Sequence, residues 1–463
     1  MFLKNEFLCE VKWQRFLGDF KQQFVQLISA WSIADLSYIA IINSNDHRSI
    51  NPDLKDIYKL GNVLAKIEDQ QTASRLGKIP QEDLKIHILF GLPQKQFWYQ
   101  EILKTRNLYN NFLRYYILLS EIPKYFPKLK SPNDDLLEVT GFDIKSFAQL
   151  QFAGFSFIQN SPLITFNVAP VVSAKIPVLC QGNIKRYIDL FSADYCYYRK
   201  QNFPNNPLFF KPIIRTSTNK LIISNAFIWA RKFYEGIYWI IRDKHMREKS
   251  QAFINNFGEY YEKYVEELMK FYLQPNQFNK LERENKQKKA DWLIHSSDYL
   301  LVVEQKSALM TIALKEEYPA IHKLDEYLTN FVEAYTQISE TVKTLKIQDR
   351  RIVKLILHFE KFYIGETVIK ERVNKLCIGK INSLSDYFFI DTEEFENLML
   401  LLSDDEDAFN KVIKAKIEQE DKTSIAEGKE FRDFISKYAT QKRNRFFESY
   451  RHLIDELTEN LFV

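Results

Sequence analysis

The chain has 463 residues, of which 46% are hydrophobic and 27% are charged, and its formal net charge is +4. This length exceeds that of an average domain, so two or three domains are expected, and the composition excludes a disordered or collagen-like protein. Because the balance is only mildly basic, any nucleic-acid-binding surface must be a local patch.

The sequence lacks the motifs of several other classes of protein. Its four cysteines are scattered singly, without a C-x-x-C pair, which argues against a structural zinc site or a disulfide framework and indicates a reducing cytoplasm. It has 12 glycines and no G-x-x-x-x-G-K-[ST] or G-x-G-x-x-G sequence, which disfavours a nucleotide-driven motor. The most apolar window, 24–42, contains Asp35, so no membrane span is expected.

The first half of the chain is predicted to be mainly helical. In the apolar window, a buried helix is expected to lead into a strand-like LSYIAII at 36–42. Aromatic residues and leucines at helical spacing predict a helix in 94–122, whereas the prolines and β-branched residues of 155–183 indicate short edge strands or extended loops. A helix is expected again at 224–253, and its polar tail predicts a domain boundary near 248.

The second half of the chain is predicted to alternate helices and strands. An amphipathic helix at 258–273 precedes a strand within 276–284, a short strand ADWLI, the turn HSSD and a longer strand YLLVVEQKS. The elements expected next are a helix at 318–346, a strand in 350–365, and a strand followed by helices from 384 onward. This is an α/β order. We therefore expect a mainly helical domain at 1–248 and, at 249–463, a mixed sheet flanked by helices with a helical C-terminal extension.

Charged residues close the strand YLLVVEQKS. Because side chains alternate along a strand, Val302, Glu304 and Lys306 share one face. The apolar run before them indicates burial on both faces, so the two charges need a compensating partner. The turn HSSD should fold ADWLI back antiparallel and bring Asp291 to the same end. Carboxylates together with a substrate phosphate are the ligands that Mg²⁺ prefers.

These residues resemble the PD-(D/E)xK nuclease superfamily, which has the restriction-endonuclease-like fold. Asp291 matches the first acid of the motif, Glu304 and Lys306 match E-x-K, and Ala290 stands where the motif has proline. Many members carry a helix of the pattern G-x-x-(F/Y)-E-x-Y-V before the core strands. The residues with that spacing here are Gly258, Tyr261, Glu262, Tyr264 and Val265.

The resemblance covers roughly residues 250–400 and implies a restriction-endonuclease-like α/β core with nuclease activity. Asp291, Glu304 and Glu262 would hold Mg²⁺ or Mn²⁺, and Lys306 would position the attacking water. The implied substrate is DNA rather than RNA, by analogy with most members. Stand-alone bacterial proteins of this build are commonly antiviral defence effectors that act on phage or foreign DNA.

Candidate nucleic-acid contacts lie around this motif. Basic residues cluster at 280–289, just before Asp291, and Lys286, Lys288 and Lys289 of this run would contact phosphates. Gln337, on the following helix, resembles a glutamine that some members place near the site. The N-terminal half would recognise a target, sense a trigger, or bind a protein partner or activator, and an oligomer is possible.

Each of these residues also has a purely structural interpretation. Glu304 and Lys306 would then form a solvated strand end, Asp291 a turn or cap residue, Glu262 a surface glutamate and Gln337 a packing residue. Two other functions stay open. One is a catalytically silent nuclease-fold protein that acts as a nucleic-acid-binding or partner-binding subunit. The other is a regulatory protein whose work lies in the helical N-terminal half.

Overall fold

The structure is a computed structural model, and it describes residues 30–43, 54–95, 105–158, 163–164, 174–200, 206–223, 225–281, 289–315, 319–345, 349–363, 365–377, 387–420, 429–438 and 444–459. The described α-helices are α1 Ala30–Asn43, α2 Leu54–Leu76, α3 Gln81–Ile86, α4 Thr105–Tyr116, α5 Pro132–Thr140, α6 Ile144–Ile158, α7 Gln181–Phe191, α8 Tyr195–Lys200, α9 Ala226–Arg247, α10 Ala252–Tyr272, α11 Ile321–Thr344, α12 Glu366–Leu376, α13 Thr392–Asp404, α14 Glu406–Glu420, α15 Phe431–Tyr438, α16 Arg445–Ser449 and α17 Arg451–Thr458. Helical turns of the π and 3₁₀ types lie at His87–Gly91, Ile117–Glu121, Ile122–Tyr125, Pro177–Leu179, Pro207–Phe209 and Ile312–Leu314. The described strands are β1 Leu163–Ile164, β2 Ser192–Asp194, β3 Ile213–Arg215, β4 Leu221–Ile223, β5 Phe278–Lys280, β6 Trp292–His295, β7 Tyr299–Lys306, β8 Arg351–His358 and β9 Phe388–Asp391.

The described strands form two mixed sheets in different parts of the chain. The smaller sheet has the order β1-β4-β3-β2, in which β2 and β3 are parallel and the other neighbours antiparallel. The larger sheet has the order β5-β6-β7-β8-β9 and lies in the second half. The predicted α/β class is confirmed: helices predominate in the first half of the chain, and a mixed sheet flanked by helices lies in the second half.

The larger sheet joins an antiparallel meander to a parallel extension. β5, β6 and β7 are antiparallel neighbours, whereas β8 is parallel to β7 and β9 is parallel to β8. α11 connects β7 to β8, and α12 connects β8 to β9. The register runs from Tyr299 opposite Arg351 to Lys306 opposite His358. The carboxyl ends of β7, β8 and β9 therefore lie at one edge of the sheet.

Strand β7 is buried on both faces because a different layer of helices covers each face. Leu301 and Val303 belong to the apolar cluster that contains α10 and the N-terminal helices. Leu300 and Val302 belong to a second cluster that contains α11 and α12. This two-sided burial explains why the strand sequence is continuously apolar instead of alternating. Glu304 follows Val302 on the face that α11 covers.

Helix α10 fixes the larger sheet to its surroundings through buried tyrosines. The Tyr261 and Thr392 hydroxyls share a hydrogen bond of 2.8 Å, and the Tyr264 hydroxyl donates to Glu396 Oε1 at 2.6 Å. Arg114 of α4 donates to the two oxygens of the same carboxylate at 2.6 and 2.7 Å. This buried group connects α4 in the first half of the chain to α10 and α13 in the second half.

The helices on either side of the predicted boundary at residue 248 share one apolar core. Tyr238 meets Phe257 edge to face at 4.9 Å, and Tyr115 meets Phe359 edge to face at 5.5 Å. The same cluster of buried residues continues from α4 to α17. The division into 1–248 and 249–463 stays a prediction, and the hydrophobic core is continuous across it.

The prediction of a strand-like LSYIAII at 36–42 was wrong, because this segment lies inside α1. The prediction of short edge strands or extended loops at 155–183 was wrong for 155–158, the last turn of α6, and for 181–183, the start of α7, whereas Leu163–Ile164 form the edge strand β1. β-Branched and aromatic residues favour strands only weakly, so a segment of this composition also forms a helix. Among the helices in the described ranges, none is long and apolar enough to cross a lipid bilayer.

Candidate active site

The hairpin of β6 and β7 is held by strand pairing and by an anchored turn. Trp292 lies opposite Val303 in the antiparallel register. In the turn, the Ser296 amide donates to the Tyr299 carbonyl at 2.9 Å, and the Ser296 hydroxyl donates to Asn410 Oδ1 of α14 at 2.9 Å. Because the turn is tied both to itself and to a helix, the register of the hairpin is fixed at its far end as well.

Asp291 lies where the regular pairing of the hairpin ends, next to Glu304. The Asp291 amide donates to the Val303 carbonyl at 3.0 Å, and Asp291 Oδ2 accepts a 2.9 Å hydrogen bond from the Gln305 amide. Only 9% of Asp291 and 2% of Glu304 is exposed. The hairpin therefore brings two buried carboxyl groups, which are 13 residues apart in sequence, to one place.

Lys306 completes the group from the same strand. Its Nζ donates to Glu304 Oε1 at 2.7 Å and to Gln337 Oε1 at 3.1 Å. The Gln337 amide nitrogen in turn donates to the Lys289 carbonyl at 3.3 Å. Gln337 thus connects α11 to both strands of the hairpin and fixes the position of the lysine tip. The structure brings Asp291, Glu304, Lys306 and Gln337 into one cluster.

The second carboxylate oxygen of Glu304 is the unusual atom of the cluster. Oε2 is buried and accepts no hydrogen bond from a donor group within the described part of the chain; the Asp291 carboxyl is close enough to share a hydrogen bond with Glu304 when one of the two acids is protonated. A buried carboxylate oxygen without a partner is costly, and such groups are normally satisfied by a donor or a cation. The atom therefore fits a ligand position for a cation bound between Glu304 and Asp291.

Burial and proximity shift the protonation of both acids. Burial raises the pKa of Glu304 to about 8, with the Asp291 carboxylate adding to the increase and the Lys306 ammonium opposing it. Burial also raises the pKa of Asp291; the Gln305 amide opposes that increase and the negative charge of Glu262 adds to it. Two adjacent acids that resist ionisation together are stabilised in their charged form by a divalent cation.

Glu262, the third predicted metal ligand, lies near this pair and is ion-paired elsewhere. Its side chain is on α10, and its Oε1 lies 2.5 Å from Lys280 Nζ on β5. The negative charge of Glu262 acts on Asp291 and contributes to the raised pKa of that carboxyl group. Over the residues that the structure describes, no group of three His, Cys, Asp or Glu side chains is arranged to hold a metal ion.

The arrangement nevertheless fits Mg²⁺ or Mn²⁺ through two carboxylates. Mg²⁺ sites in phosphoryl-transfer enzymes usually combine one or two carboxylates with waters and substrate phosphates. Asp291 and Glu304 would supply the protein ligands, and the unpartnered Oε2 of Glu304 is the specific atom that suits this role. The negative charge of Glu262 acts on Asp291, but the Glu262 carboxylate forms an ion pair with Lys280 and contributes no ligand to this position.

The predicted phosphate contacts are only partly described. Lys286 and Lys288 lie outside the described residues. Lys289 is described, and its carbonyl accepts the hydrogen bond from Gln337. Its position two residues before Asp291 puts its main chain beside the cluster. The assignment of these lysines to phosphate binding stays a prediction.

Sequence reasoning missed residues that surround the cluster. Lys280 begins the predicted basic run at 280–289, but its ion pair with Glu262 was not predicted. The indole nitrogen of Trp292 donates to Gln305 Oε1 at 3.0 Å and so fixes the residue between Glu304 and Lys306. Neither contact has a local signal in the sequence, because the first depends on how α10 lies against β5 and the second on the register between β6 and β7.

Comparisons of the chain with protein-family models, with curated proteins and with solved structures gave no match. The resemblance to the PD-(D/E)xK superfamily therefore depends on the motif residues and on the geometry described above.

Proposed function

We propose that this chain is a metal-dependent nuclease of the PD-(D/E)xK type that hydrolyses phosphodiester bonds of DNA. The observation that carries the proposal is the pairing of Asp291 with Glu304 beside the Lys306 ammonium, with Glu304 Oε2 buried and without a partner among the described residues. Strongly shifted carboxyl pKa values with specific charge partners are more frequent at functional sites than elsewhere.

The order of elements around the cluster supports the proposal. α10 precedes three antiparallel strands, α11 follows, and β8 then pairs in parallel with β7. The cluster lies at the end of the central strand, both faces of which are covered by helices. This order is compatible with the α/β core that the resemblance implies, and it supports the assignment of the acids and the lysine to the motif.

The proposed chemistry divides the work among these side chains. Asp291 and Glu304 would hold Mg²⁺ or Mn²⁺, which when bound supplies charge to polarise the phosphate and to lower the pKa of water. Lys306 would orient the attacking water and stabilise negative charge on the phosphate. Gln337 would act as a positioning residue, since it accepts a hydrogen bond from the lysine tip at 3.1 Å.

The wider biological role is proposed by analogy with the same family. DNA is the preferred substrate class, with Lys289 and the neighbouring Lys286 and Lys288 as phosphate contacts. The proposed role is an antiviral defence effector that acts on phage or foreign DNA in the cytoplasm. The first 248 residues would recognise a target or bind a protein activator, and self-association is part of the same proposal.

The first experiment is a cleavage assay with the purified full-length chain. Plasmid DNA and RNA are each incubated with Mg²⁺, with Mn²⁺ and with EDTA, for the natural chain and for Lys306→Ala. Lys343→Ala is a matched control, because Lys343 lies on α11 with 69% of its side chain exposed and contacts only Glu340 among the ion pairs described. Cleavage that requires metal and Lys306 but not Lys343 supports the nuclease. Metal-independent cleavage, or equal activity in Lys306→Ala, contradicts it.

The alternative is a catalytically silent nuclease-fold protein that binds nucleic acid or a partner. The observation that favours it is that the three acids of the motif do not converge in the described residues, since Glu262 is held by Lys280. This alternative predicts nucleic-acid binding that is unchanged by EDTA and by Asp291→Asn. The nuclease predicts that Asp291→Asn abolishes Mn²⁺ binding.

A further inference from the structure

An ion pair with Lys280 holds Glu262, the third acid of the motif. Lys280 Nζ lies 2.5 Å from Glu262 Oε1, with 51% of the lysine and 20% of the glutamate side chain exposed. Both residues line an open groove beside α10, and the other lining residues are Tyr125, Phe126, Glu259, Lys263 and Glu266. The pair is therefore accessible to solvent.

Lys280 is also coupled to the hairpin that carries the cluster. It lies opposite Trp292 in the register of β5 and β6, and its Nζ is 5.5 Å from the centre of the indole ring. The next residue along, Leu281, donates its amide to the Asp291 carbonyl at 2.9 Å. Lys280 thus lies on β5, which pairs with β6 directly after Asp291, and its side chain is half exposed.

An exposed ion pair of this kind is weak and is readily replaced. Pairs between solvent-exposed lysine and glutamate contribute little, because both charges stay hydrated. A phosphate of a nucleic acid would compete with Glu262 for the ammonium of Lys280, since phosphate contacts with lysine supply most non-specific affinity. Release of Glu262 from Lys280 would then add a third acid to Asp291 and Glu304 at the proposed metal site.

We propose that Lys280 is a substrate-sensing positioning residue that holds Glu262 away from the metal site until a nucleic-acid phosphate binds to it. This inference rests on the proposed function and names how that site is regulated. It explains why two of the three motif acids are adjacent in the structure while the third is paired with a cation. Metal and nucleic acid would then bind with positive coupling, because each is favoured by the rearrangement that the other stabilises.

The first test measures Mn²⁺ binding by titration calorimetry with the full-length chain and no nucleic acid. Lys280→Met is expected to bind Mn²⁺ about two- to fivefold more tightly than the natural chain, because an exposed competing ion pair is removed. The matched control is Lys270→Met. Lys270 lies on α10, pairs with Glu266 at 2.6 Å, and has 48% of its side chain exposed, so its loss should leave Mn²⁺ affinity unchanged.

The second variant tests whether the gain passes through Glu262. In Lys280→Met with Glu262→Gln, the gain in Mn²⁺ affinity should disappear, because the released acid is no longer present. If Lys280→Met binds Mn²⁺ no more tightly than Lys270→Met, or if the gain persists without Glu262, the inference is overturned.

The third measurement adds a 20-base-pair DNA duplex in a Lys306→Ala background, in which cleavage is prevented. The duplex should tighten Mn²⁺ binding, and Lys280→Met should remove this coupling and weaken duplex binding in fluorescence anisotropy. The two affinities thus change in opposite directions in one variant, which a merely structural lysine would not produce. Tighter Mn²⁺ binding together with unaltered duplex binding and coupling contradicts the sensing role.

Failure of this inference is distinguishable from failure of the proposed function. Mn²⁺ binding that is lost in Asp291→Asn but insensitive to Lys280→Met retains the metal site and rejects the sensing role. Mn²⁺ binding that is seen in Lys280→Met and not in the natural chain supports both. If neither chain binds Mn²⁺, both proposals fail.

Discussion

The Lys306 ammonium lies 2.7 Å from one carboxylate oxygen of Glu304, while the other oxygen is buried and has no hydrogen-bond partner in the residues that the structure describes. The lysine thus contacts only one of the two carboxylate oxygens of Glu304. The group next to the carboxylate is Asp291, and the pKa values of both acids are raised. The contact leaves one place for a cation and keeps the lysine beside it, within reach of anything that the cation binds.

Lys306→Met is expected to lower metal-dependent cleavage by about 10²–10⁴-fold, the usual contribution of a positioned proton-handling or charge-stabilising group. It should also shift the pH dependence of Mn²⁺ binding upward, because Lys306 is the cation that lowers the pKa of Glu304. Cleavage rates and Mn²⁺ titrations from pH 6 to about 9 measure both effects. A loss of cleavage without any shift in the metal-binding profile would mean that Lys306 does not act on Glu304.

Glu304→Gln is expected to stabilise the metal-free fold at pH 8 and to flatten its pH dependence. The pKa of Glu304 is raised to about 8 from an ordinary value of 4.5, so the folded chain binds this proton more tightly than the unfolded chain. The contribution of this proton to the free energy of unfolding is fully present below pH 4.5 and is lost as the pH rises towards about 8. The expected loss is about 3–5 kcal/mol for this carboxyl. Urea unfolding in EDTA at several pH values measures it.

The natural chain must be compared with Glu304→Gln because Glu304 is not the sole acid whose pKa is raised by burial. Burial also raises the pKa of Glu394, at the start of α13, to about 7, so the natural chain loses stability over a similar range for a second reason. That contribution is the same in Glu304→Gln and cancels in the difference. Equal pH slopes for the two chains would show that Glu304 ionises normally in the fold.

Divalent metal is expected to raise the melting temperature of the natural chain, and the increase should be larger at pH 8 than at pH 6. The reason is that the cation binds the ionised acids, whose pKa values are raised in its absence. Metal at about 100 times its dissociation constant would add about 2.7 kcal/mol. Thermal unfolding with Mn²⁺ and then EDTA measures the effect. Asp291→Asn should show no increase, and an increase of equal size in that variant would place the bound metal elsewhere.

Arg114→Met is expected to destabilise the whole fold by about 3–5 kcal/mol, the usual cost of leaving one member of a buried ion pair without its partner. Arg114 and Glu396 are 2.6 Å apart and nearly inaccessible to solvent. The matched control is Lys145→Met, which removes an exposed ion pair with Glu456 at 3.3 Å and should cost less than about 1 kcal/mol. Chemical unfolding followed by circular dichroism compares the two. A cost for Arg114→Met no larger than that of the control would contradict the buried pairing.

The sequence was most informative in the second half of the chain. The strand YLLVVEQKS and the helix after it were predicted to within a few residues of β7 and α11, because a continuous apolar run and a long amphipathic pattern are strong local signals. The adjacency of Asp291 and Glu304 followed from two simple rules, alternation along a strand and reversal at the turn HSSD. Those rules act over 13 residues, and no other part of the fold intervenes.

The contacts that the sequence did not reveal are those between distant elements. Glu262 was predicted to face the metal site, and its pairing with Lys280 depends on how α10 lies against β5. The contact between Arg114 and Glu396 spans 282 residues, and neither residue has a local pattern that marks it. LSYIAII was predicted as strand-like and is helical, since a short apolar run of this composition fits either element until its packing is known.

The position of β7 inside the larger sheet has a consequence for how the acids are held. β7 is bonded to β6 on one side and along its whole length to β8 on the other, and both of its faces are covered. Amide hydrogens in such a strand exchange with solvent only when the entire domain opens, so this strand should be the last part of the molecule to lose protection in deuterium exchange. Glu304 and Lys306 are therefore carried by the least fluctuating segment of the backbone, whereas Lys280 is on a three-residue edge strand that opens more readily. Rigidity and responsiveness are assigned to two strands of one sheet, β7 and β5, which β6 separates.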